Sequence, residues 1–253
     1  MPDVSSDIAK IITVADGFCV RQAVDNMAWI DMGEWALAVD ALEQPELEQE
    51  VFQAIGKTLG RKPIRYLLNT HTHQDHVALN DAFRRRGAEI VNAKIVKIPE
   101  DGRRFDGGRR SALMLPMGGC HTVEDCVIHL PSERALFVGD LFGWGLIPCG
   151  RLDDTMAHRL LATYERMIEF GAAVVIPGHG PLCTTAELMR WTEYFGWLLE
   201  EVTQRCRRST DDDEVAAGIP PPDDMAEWWR FLDWKHADSV DKVIQAVRSG
   251  RMT

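Results

Sequence analysis

The chain has no long hydrophobic run. Its apolar stretches all fall short of the ~20 residues that a helix needs to cross a bilayer. The N-terminus also lacks a basic segment followed by an apolar one, so the sequence predicts neither a membrane anchor nor a signal peptide. We therefore expect a cytoplasmic protein that does not act at a membrane.

Cysteine is too sparse for a disulfide framework. Six cysteines are spread over 253 residues, and no CxxC pair occurs among them. A chain of this length can build a sizeable core without covalent cross-links. We expect thiols that are reduced and mostly buried, because free cysteine behaves as a small hydrophobic residue.

Positive charge is also in deficit. The chain carries 28 Lys and Arg against 39 Asp and Glu, a formal net charge of −11. Most of such a surface would repel phosphate, so we expect a small-molecule substrate and no nucleic acid. The exception is a basic cluster, Arg103, Arg104, Arg109 and Arg110, which is either a solvated face or a site that steers an anionic substrate. The sequence is compatible with a homodimer.

Short apolar runs and amphipathic stretches alternate through the first two thirds of the chain. Strands are predicted near 18–24, 35–40, 64–69, 89–92, 111–115, 126–130, 135–138 and 173–176. Helices are predicted near 46–59, 77–86 and 155–170. Since both halves carry strands and helices, we expect an α/β fold in which two sheets pack together with helices outside.

The last 70 residues read as helical. Helices are predicted over 185–207, 224–234 and 240–248, with a solvated break at the acidic run 211–214 and the prolines 220–222. Five of the eight tryptophans lie in this part, and we expect them to pack it onto the body. Residues 1–253 are therefore expected to form a single domain, of which 184–253 is a helical C-terminal cap.

The strongest chemical signal is the motif His71-x-His73-x-Asp75-His76, which follows a predicted buried strand. In extended chain, residues two apart point the same way, so His71 and His73 can bind one metal ion. The turn into the next helix can direct Asp75 and His76 towards a second ion nearby. The alternative is that Asp75 is simply the N-cap of a helix that begins at Val77.

Three further candidate ligands sit beside predicted strands. His121 follows a Gly-Gly-Cys turn, Asp140 ends the apolar run 135–139, and His179 lies in a Pro-Gly-His-Gly-Pro turn. Functional sites of α/β proteins assemble at strand ends. Isolated residues of this kind are usually caps, but their recurrence beside the histidine motif favours a shared metal site.

In this order, the motifs resemble those of the metallo-β-lactamase superfamily, and the resemblance covers at least residues 10–185. It implies a four-layer αββα sandwich with the site at one edge, between the sheets. Asp140 resembles the bridging carboxylate of the glyoxalase II-like and lactonase-like branches, whereas most true β-lactamases carry another residue near this position. The helical tail, 228–246, resembles the tail of bacterial relatives that are associated with quinoprotein and sulfur-oxidation systems.

The resemblance also implies a division of the ligands. The first ion would be bound by His71, His73 and His121, and the second by Asp75, His76 and His179. Asp140 would bridge the two ions, and Asp75 and Asp140 would be the catalytic carboxylates. Outer partners for the imidazole rings stay open among Asp40, Asp125, Glu124 and Thr122.

These residues predict a hydrolase with a dinuclear metal site, in which a bridging hydroxide attacks a small ester, thioester or lactone. Two zinc ions are the first choice, and iron or manganese would accept the same donors. The alternative function is an iron-dependent sulfur (persulfide) dioxygenase, and β-lactam hydrolysis is a conceivable side activity. The apolar loop 141–147 is expected either to line an acyl pocket or to pack under the helical cap.

Overall fold

A computed structural model of the chain describes residues 9–231 and 233–251. The described strands form two sheets. They are β1 (Lys10–Ala15), β2 (Phe18–Gln22), β3 (Met27–Asp31), β4 (Ala36–Val39), β5 (Ile64–Leu68), β6 (Glu89–Val91), β7 (Arg103–Asp106), β8 (Ser111–Pro116), β9 (Cys126–Leu130), β10 (Ala135–Gly139) and β11 (Val174–Pro177).

The first sheet has the order β1-β2-β3-β4-β5-β6 and the second the order β11-β10-β9-β8-β7. Pairing is parallel for β4–β5, β5–β6 and β10–β11, and antiparallel elsewhere. The sheets pack face to face over a shared core to which Phe18, Ile30 and Phe137 belong. The rings of Phe18 and Phe137 contact each other across the two sheets, with centroids 5.9 Å apart.

Helices cover both outer faces. They are α1 (Glu48–Leu59), α2 (Gln74–Val77), α3 (Asn80–Arg85), α4 (Asp154–Glu169), α5 (Thr185–Cys206), α6 (Asp212–Ala216) and α7 (Asp233–Ala246). Apolar residues of α1 and α3, such as Val51 and Phe83, share a core with Trp29 of the first sheet. Tyr164 of α4 and Trp191 of α5 share another core with the second sheet. The predicted αββα sandwich with C-terminal helices is confirmed.

The helix predicted over 77–86 is instead two short helices, α2 and α3. The backbone N–H groups of Ala78 and Leu79 donate to the carbonyls of Leu42 and Ala41, at 3.1 and 2.9 Å, and not to their own helix. This tertiary pairing interrupts the helical hydrogen-bond ladder just after the histidine motif. Strands β1, β3 and β7 were not predicted either, because none of them shows a clear apolar alternation.

The helix predicted over 224–234 is wrong. A 3₁₀ turn covers Asp223–Met225, turns follow, and α7 begins only at Asp233. Packing sets the course of the chain just before α7, because the ring of Phe231 lies directly against Gly145. A Cβ at Gly145 would overlap this ring. Two of the C-terminal tryptophans, Trp197 and Trp234, are 43% and 55% exposed, so they do not pack this region onto the body as expected.

The structure bears on two alternatives that the sequence left open. Arg109 forms ion pairs with Asp16 and Asp31, and Arg110 pairs with Glu133. These two arginines therefore hold strands and turns together, which argues against a free anion-steering face. The loop 141–147 packs under the C-terminal helices, as its apolar side chains belong to the same buried core as α4 and α5.

All six cysteines are free, and four of them are buried, in accord with the expectation from sequence. Burial raises the pKa of Cys126 to about 12, so this thiol is protonated at neutral pH. Among residues 9–231 and 233–251, every helix is too short or too polar to cross a membrane.

One lysine of the C-terminal helices is buried. Lys235 is 6% exposed, and its ammonium group donates to the carbonyls of Gly143 and Trp144, at 3.3 and 3.2 Å. It thereby ties α7 to the loop after Asp140. Burial, together with the charge of Arg230, lowers the pKa of Lys235 from 10.5 to about 8.

The substitution Lys235→Met keeps the aliphatic side chain but removes the titrating amine. Because the unfolded chain binds this proton more tightly, wild-type stability relative to Lys235→Met should be constant below pH 8 and rise between pH 8 and 10.5. The gain should be no more than about 3 kcal/mol. Urea unfolding of both proteins across this pH range measures it, and a difference independent of pH would contradict a lowered lysine pKa.

Candidate metal centre

Loops at one edge of the sandwich carry the candidate ligands. His71 and His73 follow β5, His76 lies in α2, Asp140 follows β10 and His179 follows β11. The loop between β8 and β9 contributes His121. Because β5, β8, β10 and β11 all end at the same edge, the structure brings together side chains that are far apart in the sequence.

The first group of ligand atoms comprises His71, His73, His121 and Asp140, all within 4.8 Å of one another. His73 Nδ1 lies 3.2 Å from His71 Nε2 and 2.9 Å from His121 Nε2. Asp140 Oδ2 lies 3.4 Å from His121 Nε2 and 3.8 Å from His71 Nε2. Four donors therefore surround one point.

The second group comprises Asp75, His76, His179 and again Asp140, with the same limit of 4.8 Å. His179 Nε2 lies 3.2 Å from Asp75 Oδ2 and 3.3 Å from Asp140 Oδ2. His76 Nε2 lies 3.3 Å from Asp140 Oδ1. Asp140 is thus shared by both groups, and the structure brings together all seven residues that the sequence singled out.

The chemistry of the donors fits metal cations. His179 Nδ1 donates to the carbonyl of Val24 at 2.8 Å, and His76 Nδ1 donates to Asp40 at 3.1 Å. In each neutral ring the other nitrogen then presents a lone pair, and both lone pairs face the Asp140 carboxylate. Such contacts repel unless a proton or a metal ion lies between them. His76 Nε2 and Asp140 Oδ1 are buried without a hydrogen-bond partner in the described part of the chain, as expected of ligand atoms.

The spacing also suits metal coordination. Bonds of about 2.0–2.1 Å in a tetrahedral arrangement place ligand atoms about 3.3 Å apart. The distances quoted above run from 2.9 to 3.8 Å within the two groups. Small side-chain adjustments would therefore suffice to close either group on an ion.

Outer hydrogen bonds orient the imidazole rings. Asp40 is the partner of His76, and its carboxylate also accepts from the Thr70 N–H at 2.8 Å. The ring of His121 donates instead to the carbonyl of Pro148, at 2.8 Å. Of the candidates left open by sequence, Asp40 is the one that reaches a ring. Such partners fix the tautomer and the direction of the ligand nitrogen.

Asp125 and Thr122, two of the other candidates, organise the backbone beside His121. The Asp125 carboxylate accepts from the backbone N–H groups of His121 and Thr122, at 2.8 and 2.9 Å, and from the Thr122 hydroxyl at 2.7 Å. The partners of His121 and His179 are main-chain carbonyls, which no sequence motif reveals.

Charge within the cluster shifts the pKa values of the carboxylates and rings. The hydrogen bond from His179 lowers the pKa of Asp75 to about 2, although burial opposes this. Burial also opposes the charge of His179, but hydrogen bonds to Asp140 and Asp75 raise its pKa to about 10. Burial and the charge of His76 lower the pKa of His71 to about 3. Burial would raise the pKa of Asp140, but hydrogen bonds from His179 and His76 hold it well below its usual range. Asp75 and Asp140 are therefore both ionised at neutral pH and are ready to bind cations.

Asp75 is not a helix cap. The N-cap of α2 is His73, which makes no side-chain capping hydrogen bond, and Asp75 lies within α2. Its carboxylate points instead to His179. The capping alternative considered from the sequence is therefore wrong.

A close approach of backbone to ligands requires a glycine at position 178. A Cβ there would overlap Asp140 Oδ1 and lie 2.7 Å from His76 Cε1. Gly178 N also donates to the carbonyl of Gly139, at 2.8 Å, which joins the loops of Asp140 and His179. The absent side chain is what allows these two loops to share one site.

A model of the metallo-beta-lactamase superfamily matches residues 39–91 and 84–179, which span more than half of the chain and include all seven ligand candidates. The chain belongs to this superfamily. The resemblance inferred from the motifs is confirmed. Hydroxyacylglutathione hydrolases from Methylococcus capsulatus and Rhizobium meliloti match over 141 residues, with 36% and 30% identity. These matches cover 51% and 52% of this chain, and the chain spans about half the length of those curated relatives.

Solved structures show the same fold. An inverting sec-alkylsulfatase from Pseudomonas sp. superposes with a TM-score of 0.78 at 14% identity, over 98% of this chain and 51% of that one. A metallo-beta-lactamase from Pontibacter korlensis gives a TM-score of 0.61 at 19% identity, over 74% of this chain and 99% of that one. At such identities the likeness concerns architecture alone.

The substitution Gly178→Ala should disrupt the centre of this superfamily member. The added methyl must displace Asp140 or His76, so we expect a loss of about 1–3 kcal/mol in stability and a marked loss of bound metal. Metal analysis and thermal unfolding of the purified variant measure both effects.

The matched control is Gly56→Ala, in α1, where an added Cβ meets nothing within 4 Å. It should retain its metal and gain up to about 1 kcal/mol from helix propensity. Equal metal contents in the two variants would show that Gly178 does not limit the geometry of the centre.

Proposed function

We propose that this protein is a metal-dependent hydrolase that uses two cations to cleave a small ester, thioester or lactone. The observation that carries the proposal is the pair of ligand groups that share Asp140. When bound, two such ions supply an activated water at neutral pH and a Lewis acid for the carbonyl oxygen of the substrate. Zinc is the metal that we propose, since it binds imidazole and carboxylate ligands, with iron and manganese as rivals.

The carboxylates of the centre have different tasks in this proposal. Asp140, whose side chain is 14% exposed, lies between the two groups and would fix their spacing. Asp75 is the more accessible, with 31% of its side chain exposed, and its low pKa keeps it ionised. Asp75 is therefore placed to accept a hydrogen bond from the attacking water and orient it, and to pass the released proton to the departing oxygen or sulfur.

His76 and Asp40 form a buried orienting pair. The ring of His76 is fully buried and donates to Asp40, which is held in turn by Thr70. This chain of hydrogen bonds fixes the ring before any ligand arrives, so little conformational entropy is lost on binding. In our proposal it keeps the second ligand group closed around Asp140.

Among the substrate classes, we place thioesters first. The relatives that match about half of this chain are named hydroxyacylglutathione hydrolase, a name that denotes cleavage of a thioester. The acidic surface of this chain, with a net charge of −11, argues against polyanionic substrates such as nucleic acids.

Replacing the shared carboxylate tests the two-ion hydrolase. Asp140→Ala should lower the metal content from two ions to one or none and reduce kcat/KM at least ~100-fold, because both groups lose a ligand. Asp81→Ala is the matched control, since Asp81 is exposed on α3 and pairs only with Arg84 in the described structure. If Asp140→Ala retained two ions and full turnover, the proposal would fail.

The purified protein itself decides between the functions. Metal analysis is combined with turnover of a panel of thioesters, esters and lactones, and with oxygen uptake on a glutathione persulfide. Zinc with hydrolysis supports the proposal. Iron with oxygen uptake and no hydrolysis would replace it by the dioxygenase function.

A further inference from the structure

A buried asparagine distant from the histidine motif contacts the loop that carries His179. Asn26 is 3% exposed and lies in the turn between β2 and β3. Its amide nitrogen Nδ2 donates to the carbonyls of Pro177 and Gly180, at 2.9 and 2.8 Å. The two acceptors flank His179 on either side, so one side chain spans the whole turn that presents this ligand.

The backbone of the same turn adds further contacts. Asn26 N donates to the carbonyl of Gly178 at 2.7 Å, and His179 Nδ1 donates to the carbonyl of Val24 at 2.8 Å. Asp25 and His179 form an antiparallel bridge. Both the backbone and the ring of His179 are thus oriented by one turn of the first sheet, although His179 follows a strand of the second.

The hydrogen-bonding capacity of the Asn26 amide is matched to this task. Both Nδ2 protons are donated to the loop of His179, and Oδ1 accepts from the Ala23 N–H at 3.1 Å. Pro177 and Gly180 are buried, so without the amide their carbonyls would lose a partner where water has little access. The loop would then relax towards other partners and take His179 with it.

We propose that Asn26 is a positioning residue that sets the affinity of the second metal ion by holding the Pro177–Gly180 turn around His179. The inference rests on the two-ion site proposed above. Both side-chain donors of Asn26 go to the loop of His179, which belongs to the second ligand group alone, so the effect of Asn26 falls on one ion. The group formed by His71, His73 and His121 is held by other loops and keeps its geometry.

The test is a zinc titration of metal-stripped protein against a chromogenic chelator. Wild type should bind two equivalents. In Asn26→Ala, one equivalent should keep its affinity and the other should weaken at least ~10-fold, the usual effect of losing an outer partner of a ligand. His179→Ala identifies the affected equivalent, because it should weaken the same one.

Two further variants separate positioning from general destabilisation. Thr58→Val removes the acceptor of the fully buried Trp29 Nε1–H, a 2.7 Å hydrogen bond on β3 remote from the site. It should lower the melting temperature yet leave both equivalents unchanged. Asn26→Asp keeps the side-chain shape and the acceptor for Ala23 N–H but lacks the two donors. Its negative charge favours cations, so a weakened second equivalent there reports the lost donors.

The outcomes separate the two proposals. Wild-type protein that binds no zinc overturns the two-ion site and this inference with it. Wild-type protein that binds two equivalents, with Asn26→Ala and Asn26→Asp binding both as tightly, overturns the role of Asn26 alone. Equal weakening of both equivalents in these variants also overturns it, since a positioning residue of His179 acts on one ion.

Discussion

Lone pairs that face carboxylate oxygens are the constraint on which the rest of this structure depends. The rings of His76 and His179 each donate a hydrogen bond from Nδ1 to an outer acceptor, so their Nε2 lone pairs point at Asp140. A fold that buries such contacts is stable only if cations, either protons or metal ions, lie between the lone pairs and the carboxylate oxygens. Burial lowers the pKa of His179, but its carboxylate neighbours raise it further. When no metal ion is bound, a proton on this ring therefore fills the place of the cation.

Maintaining this arrangement requires the loops of two sheets to be joined at one edge. The Cys126 N–H donates to the carbonyl of Thr70, at 2.7 Å, and so ties the histidine motif of the first sheet to the second. The turn before α7 adds a further restraint, since a Cβ at Gly180 would overlap the ring of Trp229. The loop after Asp140 adds another, because Trp144 Nε1 donates to the Pro181 carbonyl. The tail thereby packs against the loops that follow His179 and Asp140. These contacts make the loops of the site more rigid.

Sequence reasoning reached the fold class and all seven candidate ligands because both depend on local signals. Alternating apolar runs predict strands, and histidines two residues apart after a strand share a side of the chain. It failed where tertiary hydrogen bonds override local propensity. Ala78 and Leu79 pair with the Ala41–Leu42 carbonyls and so break the predicted helix in two. Around Phe231 the chain turns to pack on Gly145, in a segment whose composition predicts a helix.

The sequence by itself determined which atoms are offered to a metal, because imidazole and carboxylate chemistry belongs to residue type and the motif spacing is local. Only the tertiary structure decided how those atoms are divided and aimed. Asp140 is shared, Asp40 serves His76, and the carbonyls of Val24 and Pro148 serve His179 and His121. Main-chain carbonyls are chemically identical along the chain, so which of them meets a given ring follows from the packing of the sheets and from nothing legible in the sequence.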